Sequence, residues 1–86
     1  MHTIELLEQA TELAGKLGYG VRQEWLGGCG GGACEVAGQK WIFIDLSLTA
    51  SEQLDQLAGA LKADPTIFAE ELSPAMAKLL DVRRAA

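Results

Sequence analysis

The segment KWIFIDL, residues 40–46, decides the fold class of this 86-residue chain. Its centre, from Trp41 to Ile44, is β-branched and aromatic, and it is too short for an independent helix. We therefore predict a strand at residues 40–46. Two further strand-like runs precede it, at residues 21–26 and 33–37.

The connections between these runs predict the topology of the sheet. Gly38-Gln39 separates the second run from the third, and a leading glycine is typical of a two-residue type II′ hairpin. The glycine-rich segment before residue 33 predicts a longer hairpin loop between the first two runs. The simplest topology that follows is a three-stranded antiparallel meander.

Helical segments flank the predicted sheet. Residues 3–17 carry apolar side chains at helical spacing, and residues 49–52 match a capping box at the start of a second helix. Asp64-Pro65 and Ser73-Pro74 each place a proline where a further helix begins. The expected order is α-β-β-β-α-α-α, with two to three helices after the meander. We interpret residues 1–86 as a single small α+β domain.

Composition excludes several functional classes. The chain has 7 Lys and Arg against 12 Asp and Glu, a formal net charge of −5, and its basic residues are scattered. A general nucleic-acid binder needs clustered basic residues, so we expect no nucleic-acid partner. The acidic N-terminal region does not resemble a secretory signal, and no apolar run reaches the length of a membrane span. We expect a cytoplasmic protein with reduced cysteines and no membrane partner.

The predicted Gly38-Gln39 turn also predicts which side chains share a face of the sheet. It places Ala37 opposite Lys40 and Cys34 opposite Phe43. One face then carries Cys34, Val36, Trp41 and Phe43, and the other carries Ala33, Ala37, Ile42 and Ile44. Both faces are largely apolar, unlike a sheet with one wet face. We expect helices on the isoleucine face, and either the C-terminal helices or another chain on the aromatic face.

The aromatic residues give the leading functional hypothesis. Trp25, Trp41 and Phe43 are the candidate partner-binding residues, because such rings bury much area at low entropic cost. The hypothesis is a protein-interaction module without catalytic activity of its own. It associates with itself as a homodimer, or with another protein, through the aromatic sheet face or through a sheet edge.

The glycine-rich segment LGGCGGGAC, residues 26–34, carries one alternative. It holds five of the ten glycines and both cysteines of the chain. A thiol-dependent metal-binding or redox site there would involve Cys29 and Cys34, with Gly30, Gly31 and Gly32 between them. The C-x4-C spacing lacks the features of a redox C-x-x-C motif. Cys34 alternates as an ordinary strand residue and is expected to be buried, which leaves Cys29 as the better candidate for a reactive thiol.

A second alternative is anion or nucleotide binding by the backbone of this loop. The segment lacks the ending of a phosphate-binding loop and does not precede a predicted helix. The only histidine is His2, so neither a Ser-His-Asp arrangement nor a four-ligand zinc site is supported. We therefore predict no catalytic residue, no metal site and no cofactor.

Overall fold

The computed structural model describes residues 3–28 and 31–81. Its elements are α1 (Thr3–Lys16), β1 (Tyr19–Glu24), β2 (Gly32–Val36), β3 (Gln39–Asp45), α2 (Ala50–Lys62), a 3-10 helix (Pro65–Ala69) and α3 (Pro74–Leu79). The predicted α+β order is confirmed, with a 3-10 helix where a further α-helix was expected. Within the described ranges, no helix has the length and apolar character needed to cross a membrane.

The sheet is mixed, so the predicted antiparallel meander is wrong. β3 lies in the centre, with β1 parallel to it on one side and β2 antiparallel to it on the other. A strand with apolar side chains on both faces favours a central position, and the Trp41–Ile44 run in β3 is such a strand. The glycine-rich loop after β1 carries the chain past the end of β3, so that β2 returns on the far side.

The hairpin between β2 and β3 is one residue earlier than predicted. Its two loop residues are Ala37 and Gly38, with φ of 52° and 80°, and Val36 pairs with Gln39 to close it. Positive φ at both central residues is typical of a type I′ turn, whereas a type II′ turn requires it only at the first. The predicted Gly38-Gln39 turn is therefore wrong, because Gly38 occupies the second central position.

The pairing of β2 with β3 shifts by two residues as a consequence. Cys34 pairs with Trp41, whereas the predicted turn pairs it with Phe43. Lys40 pairs with Glu35, whereas the predicted turn pairs it with Ala37. A shift of two residues leaves every side chain on its face, because the alternation along a strand has a period of two.

The hydrophobic core lies on one side of the sheet. Ile42 and Ile44 are fully buried and are the only strand residues in the buried core of the described chain. The other members come from the helices and the segments that follow them: Ala10, Leu13, Ala14, Leu54, Leu57, Ala58, Leu61, Ile67, Met76 and Leu80. The helices thus pack on the isoleucine face, as predicted. Trp41 and Phe43 belong neither to this core nor to the partly buried side chains packed against it.

We expect Ala37→Asn to raise the free energy of unfolding by about 0.5–1 kcal/mol, because asparagine tolerates the left-handed backbone region better than alanine. Chemical denaturation of the wild type and the variant measures the difference. Ala69→Asn, at an exposed position of the 3-10 helix, is the matched control and should not increase stability. An unchanged or lowered stability of Ala37→Asn would contradict the turn described above.

Candidate functional site

The sheet face opposite the core is hereafter called the open face. Alternation and strand register place ten residues on it: Gly20, Arg22 and Glu24 of β1, Gln39, Trp41, Phe43 and Asp45 of β3, and Gly32, Cys34 and Val36 of β2. Trp41 and Phe43 are half-buried, and Val36 is 56% exposed. The part of the open face formed by Trp41, Phe43 and β2 is therefore an apolar surface that the described helices leave accessible, whereas the β1 side carries the ion pair of Arg22 and Glu24.

Trp41 and Phe43 form a stacked pair at the centre of the open face. Their ring centroids are 6.3 Å apart and the ring planes differ by 29°. The Trp41 ring also lies over Gly20, where an added Cβ would be 2.5 Å from the ring. Gly20 thus provides room for the indole to lean over β1, on the side of β3 away from β2.

Cys34 is a free thiol and is exposed, so the expectation that it is buried is wrong. It lies on the outermost strand of the open face, directly opposite Trp41. A strand residue on a face without a helix layer stays accessible even when its neighbours are apolar. The exposure of Cys34 follows from the one-sided packing of the sheet.

Trp25 is 75% exposed and follows the last residue of β1. It lies one residue beyond Glu24, where the pairing of β1 with β3 ends. The structure brings Trp41 and Phe43 together in one stacked pair, and Trp25 is not part of that pair.

Asp45, the last residue of β3, binds the backbone at the start of the glycine-rich loop. Its buried carboxylate accepts hydrogen bonds from the backbone N–H of Leu26 at 3.0 Å and of Gly28 at 2.6 Å. It also accepts from the backbone N–H and the hydroxyl of Ser47, at 2.9 and 2.7 Å. Gly27 and Gly28 have φ of 64° and 79°, a conformation that favours glycine. The loop is thereby held across the end of the central strand.

The charge of Asp45 bears on the anion-binding alternative. Burial alone raises the pKa of a carboxyl group, but the hydrogen bonds from Ser47, Leu26 and Gly28 outweigh it and lower the pKa of Asp45 from 3.8 to about 2. An ionised carboxylate of the chain itself thus occupies the N–H groups of Leu26 and Gly28. These two donors are not available to an external phosphate.

The remaining loop positions are only partly described. Gly31 and Gly32 have φ of 130° and 103°, and an added Cβ on Gly31 would collide with the Gln56 side chain. Cys29 and Gly30 lie outside the described residues, so the alternative of a thiol-dependent site at Cys29 and Cys34 is not tested. Over residues 3–28 and 31–81, no three His, Cys, Asp or Glu side chains are grouped as metal ligands would be.

Sequence reasoning missed a second polar cluster, at the start of the 3-10 helix. Asp64 accepts hydrogen bonds from the Tyr19 hydroxyl at 2.8 Å, from Lys40 Nζ at 3.3 Å and from the backbone N–H and hydroxyl of Thr66. Lys40 Nζ also lies 4.3 Å from the centre of the Tyr19 ring. Asp64-Pro65 predicts a helix start, but no local signal in the sequence indicates the partners from β1 and β3.

The cluster around Asp64 joins the 3-10 helix to the sheet. The hydrogen bonds from Thr66 and Tyr19 hold the pKa of Asp64 well below its usual range. Burial and the hydrogen bond to Asp64 raise the pKa of Tyr19 to about 12. Asp64 is thus ionised and surrounded by donors at neutral pH, as expected of a structural carboxylate.

Comparisons with known proteins give no relative from which a function can be transferred. No family model matches the chain, and neither the curated proteins nor the solved structures yield a match.

We expect Asp45→Asn to lower the midpoint of urea unfolding at pH 7, because an amide replaces the anion that accepts four hydrogen bonds. The pKa of Asp45 is below its unfolded value, so the stabilisation is complete above about pH 4 and is lost as the pH falls through about 2. The difference in urea midpoint between the wild type and Asp45→Asn should therefore become smaller as the pH falls from 4 to 2.

Asp55→Asn, at an exposed position of α2, is the control for the loss of one negative charge. It should leave the midpoint at pH 7 nearly unchanged. A variant at Asp45 as stable as this control at pH 7 would contradict the anchoring role of Asp45.

Proposed function

We propose that this protein is an interaction module that associates with a second copy of itself through the sheet, without catalytic activity of its own. The observation that carries the proposal is the stacked pair of Trp41 and Phe43 on a sheet face that is not packed against the core. Rings of this size contribute strongly to association when a partner removes them from water.

The charge distribution supports a second copy as the partner. The chain has a net charge of −5, and two copies repel each other wherever their acidic surfaces meet. On the open face, however, β2 and the part of β3 from Gln39 to Phe43 carry no charged side chain. Two copies can approach there without bringing carboxylates together or desolvating a charge.

The buried carboxylates favour a structural role over catalysis. Asp45 and Asp64 are the only buried charged residues of the described chain. Each accepts several hydrogen bonds from donors of the protein, and each has a lowered pKa. A general acid or base needs a pKa near the working pH, so neither carboxylate suits that task.

We expect Trp41→Glu to weaken the contact through the open face and so to lower the association state of the folded protein. Loss of a central aromatic side chain in an interface typically costs about 2 kcal/mol or more, which corresponds to a dissociation constant raised about 30-fold. Sedimentation velocity over a concentration series measures the change, and far-UV circular dichroism verifies the fold.

The matched control is Phe68→Glu, which introduces the same charge at an aromatic residue that is 66% exposed on the 3-10 helix, away from the open face. It should leave the dissociation constant within about threefold of the wild type. A wild type that stays monomeric at high concentration would overturn the proposal.

A further inference from the structure

β2 is an edge strand with an accessible outer side. Within the described chain it has a neighbouring strand on one side only, which is β3. Its residues from Ala33 to Val36 are all exposed. An edge of this kind presents unpaired backbone N–H and C=O groups that a further strand can bind.

The type I′ turn determines which backbone groups of β2 point outward. Val36 and Gln39 close a two-residue hairpin, and such a closing pair exchanges both of its hydrogen bonds. Because bonded and non-bonded pairs alternate, Cys34 also bonds to β3, whereas Ala33 and Glu35 point away from it. The free edge therefore offers two N–H groups and two C=O groups, from Ala33 and Glu35.

We propose that the second copy binds along β2 in the antiparallel direction, so that two three-stranded sheets join into one of six strands. This geometry rests on the proposed self-association and adds to it a contact at the sheet edge, separate from the open face. Ala33 of each copy exchanges hydrogen bonds with Glu35 of the other. This pairing satisfies the four outward backbone groups of each strand. The twofold axis then passes between the two Cys34 residues, which face each other as a non-hydrogen-bonded pair.

Neighbouring twofold registers are less favourable. Centring the axis on Glu35 places the two Glu35 side chains directly opposite each other, and like charges in that position are destabilising. Centring it on Ala33 pairs Glu35 with Gly31, which lies outside β2. The register centred on Cys34 is the one that keeps every hydrogen bond within the strand and separates the carboxylates.

The opposite edge of the sheet is less suited to this pairing. β1 carries an exposed ion pair between Arg22 and Glu24, with the nitrogen and oxygen atoms 2.9 Å apart. Charged side chains on an edge strand oppose the addition of another strand. β2 has Glu35 as its only charged residue.

Joining the sheets through β2 also makes the two open faces continuous. In each copy Gly20, Trp41 and Cys34 occupy neighbouring positions across the three strands. The two Cys34 residues connect these rows into one that crosses all six strands. Both Trp41–Phe43 pairs then lie on the same face of the joined sheet, and the edge contact itself leaves them accessible to a further contact through the open face.

Disulfide trapping tests the register. Opposed residues of a non-hydrogen-bonded pair have Cα atoms about 4.5 Å apart, within the range of a disulfide. In a Cys29→Ser background, diamide should link two copies through Cys34: each thiol gives up one proton and one electron, and diamide takes up both pairs to become a hydrazine. The linked dimer is detected by non-reducing electrophoresis and located by mass spectrometry of its peptides.

The control moves the thiol along the same strand. In the protein with Cys29→Ser, Cys34→Ser and Val36→Cys, the single thiol is on the same exposed face, but the two copies of position 36 are about 14 Å apart along the strand in this register. Linking at Cys34 should be at least ten times faster than linking at position 36.

A second pair of variants acts on the hydrogen bonds. Glu35→Pro removes an outward N–H without touching the bonds to β3, and should raise the dissociation constant of the dimer about tenfold or more. Glu35→Gln keeps the N–H and should leave the constant within about threefold. Sedimentation velocity measures both, with thermal melts confirming that each variant folds.

The outcomes separate this geometry from the proposed function. Fast linking at Cys34 together with weakening by Glu35→Pro supports the edge pairing. A dimer in native mass spectrometry that links no faster at Cys34 than at position 36 overturns the edge pairing and leaves self-association intact. A monomer at every concentration overturns both.

Discussion

The carboxylate of Asp45 is the interaction on which the rest of this architecture depends. It lies at the end of the central strand and binds the backbone of the loop that leaves β1. That loop has to pass β3 for β2 to pair on its far side. An ionised side chain that accepts several N–H donors is a strong way to hold a glycine-rich segment that has little intrinsic conformational preference. The mixed sheet, the free edge of β2 and the exposure of Cys34 all follow from this crossing.

Sequence signals predicted those parts of the fold that depend on neighbouring residues, such as the starts of helices. The capping box at Thr49 forms as expected, and Ser73 caps the helix that begins at Pro74. The choice of central strand is a global property, and the antiparallel meander was favoured because consecutive strands usually pair. The apolar run of β3 instead indicates that β3 is the central strand, since a strand with two apolar faces favours a central position.

The candidate site shows the same division. The face shared by Cys34, Trp41 and Phe43 was predicted correctly, because alternation survives an error of two residues in the pairing. The exposure of Cys34 was not, since it depends on where the helices pack and not on the strand itself. The partners of Asp64 come from residues 45 and 24 positions away along the chain, Tyr19 and Lys40, and no pattern near Asp64 specifies them.

A core on one side of the sheet means that folding and the proposed association use opposite faces of the same sheet. When a partner binds only the folded chain, mass action makes its stability rise with total protein concentration. The stacked rings of Trp41 and Phe43 lie outside the core of the single chain, so under the proposed function their burial by a second copy would stabilise only the associated form. Under this proposal the folded chain would be least stable in dilute solution, because the isolated chain folds on the isoleucine face alone.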